Sequence, residues 1–425
     1  MIINVQKTMV FLFLLCIIFP ALPFSGGVIR IPLVTFLVPF MLWSIYSRPV
    51  KAAAGPICFL MFCILASIII SIFWSGFKSE VFSIGEVFLY LIKFSILLFF
   101  LILALNRTIE AETILNILIA YLLFSIFIGA LQWAGFSFVS RVYSISEEQF
   151  LLSEYDFIFR RIPSTAHMIT AVGGLAIFSF ISGVVLCTFG RTIYGCSLVG
   201  GGVLLAVFSQ SRTAFVLIPM FLIFYSFFSL SNDTKLLRRQ NSIRFFSIIF
   251  VTCMSAFLLI YFGDFLQYQI SRFDQFGKQA SQGENRVGQI FWAVNMISES
   301  IDNFLFGITN AGRTAYEGMF VEVEPVNIFL IYGLFGFFTH YFFIACILFY
   351  IYHGLKRFQR VLTETDLIVV SITFVSIIFY QVYSLSYFFF RDVYATYMIF
   401  ALIGFSYGTL LRVEREHTFV GGLRS

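Results

Sequence analysis

Charge is what this sequence has least of. Of its 425 residues 12% are charged and 60% are hydrophobic, whereas soluble domains carry about 25% charged and about 45–50% apolar residues. One water-facing core cannot hide that much apolar surface, so a soluble globular domain is excluded. Cysteine offers no metal chemistry. The seven, at positions 16, 58, 63, 187, 196, 253 and 346, fall in or beside apolar runs at spacings that match no zinc pattern, and they read as small core residues. The formal charge of +5 is spread over loops without a basic block, which gives no footing to nucleic acid. The first apolar run follows Lys7 and lacks a clear small-x-small cleavage site, so it reads as a retained helix and not as a removed signal. What abounds is phenylalanine, with 59 residues, a side chain suited to lipid-facing and interhelical space.

A membrane span needs about 20 apolar residues. On that ruler the chain reads as an all-α polytopic membrane protein of about twelve spans forming a single integral-membrane domain over 1–425. The expected spans are 8–24, 28–46, 56–74, 82–105, 113–133, 168–189, 193–209, 213–230, 245–262, 326–352, 367–386 and 393–411. The short basic stretches 47–51, 106–112, 190–194, 231–244, 353–360 and 412–417 then fall on one side. The excess of Lys and Arg in short loops assigns that side to the cytoplasm, with both chain ends there. The opposite side carries 74–80 and two long loops, 134–167 and 263–325.

Within this frame Arg212, in Ser209-Gln210-Ser211-Arg212, sits at the outer end of a helical hairpin. Two readings are open: an arginine snorkelling to headgroups, or a cation that holds something negative. Arg160 and Arg161 close the first loop just before Pro163 and a span. They read equally as a surface anchor or as functional groups, while His167 reads as a structural residue at a helix start. Alternating apolar residues around 150–159 allow a helix in the interface. In the second loop Ser281 and Glu284 match a capping box. Val287, Ile290, Phe291, Val294, Ile297, Ile301 and Phe304 keep a helical rhythm, which predicts one amphipathic helix over 283–304. Arg286 lies in its early turns, where free N–H groups and a guanidinium make a seat for phosphate. Arg313 is a further outer cation, and Glu317, Glu322 and Glu324 are an acidic cluster. Pro325 suits the first turn of the next helix, and Gly333 and Gly336 allow close helix packing.

In this order and sidedness, Arg161-Ile162-Pro163-Ser164-Thr165, Ser209 to Arg212, Asn285-Arg286 with Trp292, and Pro325-Val326-Asn327 with Gly333 and Gly336 resemble the O-antigen polymerase and O-antigen ligase superfamily of bacterial envelopes. The resemblance covers roughly 155–340. It implies a bacterial inner-membrane glycosyltransferase, active on the periplasmic face, that joins undecaprenyl-pyrophosphate-linked oligosaccharides. That carrier would serve as both donor and acceptor. Membrane lipids and a chain-length regulator are the other implied partners. The ligases carry a histidine where this chain has Val326, which favours the polymerase. Arg272 to Gly283 is similar to a spacing of polymerase outer loops.

The chemistry suits these residues. The leaving pyrophosphate gains charge as the sugar bond breaks, and stabilising that charge is the main catalytic need. Guanidinium groups stay ionised and grip phosphate with a planar fork. The catalytic set is therefore expected to be Arg212, Arg286 and, as a base, Glu324, with Glu322 and Glu317 as the other candidates by location. Arg160, Arg161, Arg272, Arg313 and Asn327 are expected to bind pyrophosphate or glycan. The outer loops hold no DxD-like dyad, so neither a metal nor a cofactor is expected. The rivals are a ligase that transfers polymer to lipid A core, a flippase for the same lipid-linked unit, and a structural scaffold.

Overall fold

The structure is a computed structural model that describes residues 5–19, 22–24, 29–31, 33–46, 54–79, 85–144, 147–154, 160–227, 286–315, 321–386 and 395–422. It is an α-helical bundle. Among the described residues eight helices are long and apolar enough to cross a membrane, which makes the chain a polytopic membrane protein. The helices are α1 (Val5–Ile18), α2 (Val38–Tyr46), α3 (Gly55–Ser79), α4 (Gly85–Leu105), α5 (Ala111–Trp133), α6 (Ser137–Tyr143), α7 (Glu147–Ser153), α8 (Ile169–Thr188), α9 (Thr192–Ser209) and α10 (Arg212–Phe227). After residues outside the description come α11 (Arg286–Ser298), α12 (Ile301–Phe306), α13 (Thr309–Ala315), α14 (Glu324–Phe358), α15 (Glu364–Tyr383) and α16 (Ala395–Gly422).

Several expected boundaries move. The runs read as spans 8–24 and 28–46 hold shorter helices. Between them lies a two-stranded antiparallel hairpin, β1 (Leu22–Phe24) with β2 (Ile29–Ile31), and a 3₁₀ turn over Leu33–Leu37 then leads into α2. Pairing of the two strands satisfies main-chain groups in a stretch whose apolar residues read from sequence as parts of two spans. The run 213–230 holds a short apolar helix, and the expected span 245–262 lies outside the described residues. The first long loop carries α6 and α7, while 155–159 is outside the description.

The expected helix 283–304 is two helices. α11 stops at Ser298, and Ser300 caps α12 by accepting the Asn303 amide at 3.2 Å, a side-chain cap that satisfies an otherwise orphaned donor. The capping box at 281–284 lies outside the described residues.

α14 is bent sharply at Gly333, whose φ of 63° and ψ of −165° are not helical. Phe329 and Phe337 have ring centroids 5.7 Å apart, although eight residues rise about 12 Å along a straight helix. A short first leg, 324–332, therefore runs at a steep angle to the long second leg. The far end of the first leg is tied down firmly. Ile308 donates its amide to Leu330 O at 2.9 Å. Ser71 donates to Tyr332 O at 3.3 Å, and the Tyr332 hydroxyl donates to Glu86.

The interior is formed by α4, α8, α15 and α16, which are largely enclosed. α3 and α14 turn Phe59, Phe62, Phe338 and Phe342 outward, an apolar rim fit for lipid.

Candidate functional site

The turn between α9 and α10 is where the sequence places its central cation. Gln210 closes α9 with φ 52° and ψ 36°, a left-handed cap that exposes the helix to a reversal. Ser211 then accepts the Ala214 amide at 3.3 Å, so Arg212 is the first residue of a capped helix. Helix starts carry partial positive charge, and the guanidinium adds a full one at the same end of the bundle. Ser209 and Gln210 are buried and Arg212 is half-buried. Ser211 can approach α8 because position 173 is glycine: a Cβ there would lie 2.7 Å from both the Ser211 Cβ and the Tyr383 hydroxyl.

Arg160 and Arg161 reach this turn from the loop before α8. Arg161 Nε donates to Ser209 O at 3.4 Å, and Gln210 Nε2 donates to Arg160 O at 3.4 Å. The two arginines then part. Arg160 Nη1 donates to Trp133 O at 2.6 Å, so its charge sits on the carbonyl end of α5, where cations are favoured. Neighbouring His167 is fully buried, has φ 60°, and packs its ring 5.4 Å from Tyr143. The Tyr143 hydroxyl donates to Ile18 O at 2.9 Å, and burial pushes its pKa up to about 12. His167 thus belongs to the packing that seats the loop.

The third contribution comes from α14. Thr213 donates to Ser386 at 2.8 Å, and the Glu324 amide donates to Ser384 O at 3.0 Å. The residues just past α15 therefore touch the start of α10 on one side and the start of α14 on the other. The first leg of α14 has two faces. Val326, Phe329 and Leu330 pack with Ala293 and Ile297 of α11, while Ile328 and Ile331 join the main core. Glu324 and Asn327 share the core-facing side by their i, i+3 spacing, and both are fully buried. Val326 lies on the other face.

α11 lies along the first leg, with Gln289 Oε1 accepting the Glu322 amide at 3.1 Å. Arg286 is the first residue of α11, one turn before Gln289. Its side chain and all of Arg272 lie outside the described residues, as do Glu317 and Tyr316. Trp292 is partly buried against the apolar cluster beneath α11. Arg313 belongs to another neighbourhood. Its helix packs on α3, where Ser75 donates to Ile308 O at 2.7 Å and meets the Thr309 hydroxyl at 3.0 Å.

The structure thus brings 160–161, 209–213, 322–327 and 384–386 to one end of the bundle. Three residues that sequence reasoning passed over take part: Gln381, Ser384 and Ser386. Their signal was faint, a polar side chain ending or interrupting an apolar run. Glu86, in the first turn of α4, accepts on its two oxygens from the Asn310 amide at 3.1 Å and from Tyr332.

The opposite end is built differently. Arg107 pairs with Glu416 at 2.7 Å, Arg191 with Glu112 at 3.0 Å, Arg357 with Glu414 at 3.5 Å and Arg412 with Asp366 at 3.7 Å. Members of three of these pairs line a cavity of about 580 Å³ with Glu110 and Thr363. Arginines there are matched by carboxylates, whereas the bonds described above for Arg160 and Arg161 run to main-chain carbonyls. Among the described residues no group of three or more His, Cys, Asp or Glu is placed to hold a metal. No protein-family model matches this chain, and no curated protein matches it.

Proposed function

We propose that this protein is a glycosyltransferase that joins oligosaccharides carried on undecaprenyl pyrophosphate, and that it works at the end of the bundle where α10 begins. This end faces the periplasm in the reading, with the chain in a bacterial inner membrane. The convergence of Arg161, the Arg212 helix start and the buried first leg of α14 carries the proposal. A prenyl diphosphate has two parts, a tail that wants lipid and a head that wants fixed positive charge. Arg212 offers a fork at the mouth of an apolar bundle, backed by the N-terminus of α10. Arg161 stands beside it, and Arg286 opens the helix laid over the same end.

In the reaction the glycosidic bond to the donor pyrophosphate breaks as a hydroxyl of the acceptor glycan attacks. The departing diphosphate is held by the arginines, where preorganised charge lowers the barrier. Glu324 takes the hydroxyl proton. Chain growth by whole repeat units, and not transfer to lipid A core, fits the apolar surroundings of Val326. Single substitutions test this. Arg212→Ala and Arg286→Ala are expected to leave the protein inserted in the membrane while long-chain polymer disappears from a gel of surface polysaccharide. Arg212→Lys fails too, because a point charge lacks the fork. Full-length chains from Arg212→Ala cells refute the site. The ligase reading gives a different gel pattern in a deletion strain, with polymer accumulating on the lipid carrier and none on core.

A further inference from the structure

α15 ends in a turn that touches the helices of both groups the proposed reaction uses, Arg212 and Glu324. The helix stops at Tyr383. The Ser384 amide donates to Tyr380 O and the Ser386 amide to Tyr383 O, each at 2.8 Å. The last carbonyls and the first amides of a helix lack partners within that helix. Here two helices supply one another: Ser384 O accepts the amide of Glu324, the first residue of α14, at 3.0 Å. The negative end of one helix dipole thus meets the positive end of the other, and both residues are buried.

The same turn holds α10. Ser386 Oγ donates to Tyr383 O at 3.0 Å. A hydroxyl has one proton to give, so in its bond with Thr213, at 2.8 Å, Thr213 donates. Thr213 follows Arg212 directly in the first turn of α10. A further tie runs to α8, where the Tyr383 hydroxyl donates to Thr170 O. That hydroxyl and Ser211 close on Gly173: a Cβ there would lie 2.7 Å from the Tyr383 hydroxyl and 2.2 Å from Ser211 Oγ. A side chain at 173 would therefore push the turn and the α9–α10 corner apart. Residues 383–386 thus tie the starts of α8, α10 and α14.

The chemistry needs such a tie. Displacement at a sugar carbon brings the attacking hydroxyl in opposite the bond to the departing diphosphate. The group that takes the proton and the cation that holds the diphosphate must then stand a sugar's width apart. A misplacement of about 1 Å in such a pair costs about a hundredfold in rate.

We propose that residues 383–386 are the positioning element of the transfer, setting Arg212 and Glu324 in register through Thr213 and the Glu324 amide. Ser386 acts through Thr213 and is a positioning residue. This deepens the proposed function and rests on it.

The test is chain elongation by the purified, detergent-solubilised full chain, with the lipid-linked oligosaccharide extracted from the source cells as donor and acceptor. Thr213→Val and Ser386→Ala each break the tie to α10. Each is expected to lower kcat about tenfold and to leave KM within about twofold, since the grip stays and only its register loosens. The double variant Thr213→Val/Ser386→Ala is also expected to fall about tenfold, not about a hundredfold, because both singles remove one bond. Ser386→Thr keeps the hydroxyl and restores most of kcat. Thr373→Val removes a hydroxyl bond of the same length, 2.8 Å to Ser406, farther along α15, and leaves kcat within about twofold. Unchanged kcat in Ser386→Ala, multiplied losses in the double variant, or an equal loss in Thr373→Val overturns the positioning role and leaves the proposed function standing. No elongation by the unaltered protein overturns the proposed function, and the positioning role with it.

Discussion

Gly333→Ala is the change from which most can be learned. Its backbone, at φ 63° and ψ −165°, occupies a region that is essentially glycine-only, and a side chain there costs about 1–3 kcal/mol. Crowding adds to this. A Cβ at 333 would lie 2.5 Å from the Phe306 amide nitrogen, and the chain there cannot retreat without stretching the Ile308 to Leu330 hydrogen bond of 2.9 Å. Overpacking of this kind costs about 1–3 kcal/mol, so the expected loss is about 2–6 kcal/mol in all. Thermal unfolding of the detergent-solubilised protein should show a fall of about 2–7 °C, with loss of surface polymer from cells. Gly307 is the other half of the contact: its φ is 74°, and a Cβ there would lie 2.6 Å from the Gly333 nitrogen. The double variant Gly307→Ala/Gly333→Ala should therefore lose less than the sum of the singles, because both break one contact. Additive losses, or a Gly333→Ala protein that melts with the parent, would refute a bend fixed by main-chain contact.

Other substitutions separate anchoring from binding. Tyr332→Phe removes the hydroxyl that donates to Glu86 and should lower stability by about 1.5–3 kcal/mol, read as a shift in melting temperature; no shift would mean that the first leg is held elsewhere. Arg160→Gln takes the cation from the carbonyl end of α5 and should cost about 0.3–2 kcal/mol with polymer length unchanged on the gel, in contrast to Arg212→Ala. Tyr143 is an acid whose pKa is raised to about 12 by burial against about 10 when unfolded. Its contribution is thus fully present below pH 10 and lost as pH rises from 10 through 12. Tyr143→Phe should flatten the melting curve's pH dependence in that window and nowhere else.

The bundle was legible because lipid imposes length: α3, α4, α5, α8, α9, α15 and the second leg of α14 coincide with apolar runs of the expected size. The break between α11 and α12 was hidden because Ile301 and Phe304 continue the apolar rhythm through it. Ser300 becomes a cap only when the Asn303 amide is free to meet it. Gly333 read as a packing residue, since a sequence does not carry φ. At the site, Arg160 and Arg161 are adjacent in the chain yet face different carbonyls, Trp133 and Ser209. Periodicity found the helix that brings each end near and was silent on which polar atom meets which. Gln381 is the clearest case, a lone amide in an apolar run that comes near Glu324, far away along the chain, only because the Glu324 amide donates to Ser384 O.

A bent helix beside the buried residues Glu86 and Lys93 is also how transporters build substrate sites, with unwound carbonyls and half-helix ends offered to ions. Here those groups are already engaged. Leu330 O accepts from Ile308, Tyr332 O accepts from Ser71, and both oxygens of Glu86 accept from the protein. The bend serves as an anchor for the first leg of α14, not as a coordination site. Among the described residues, unmet polar atoms away from the bend include those of Asn327 on the leg itself and of Gln381 and Tyr341 on its two supports. An ion carrier would show the reverse, with free carbonyls at the break and satisfied carboxamides along the leg. The distribution of engaged and unengaged polar groups therefore favours a site that grips a headgroup at one end of the bundle over a site that passes a solute through it.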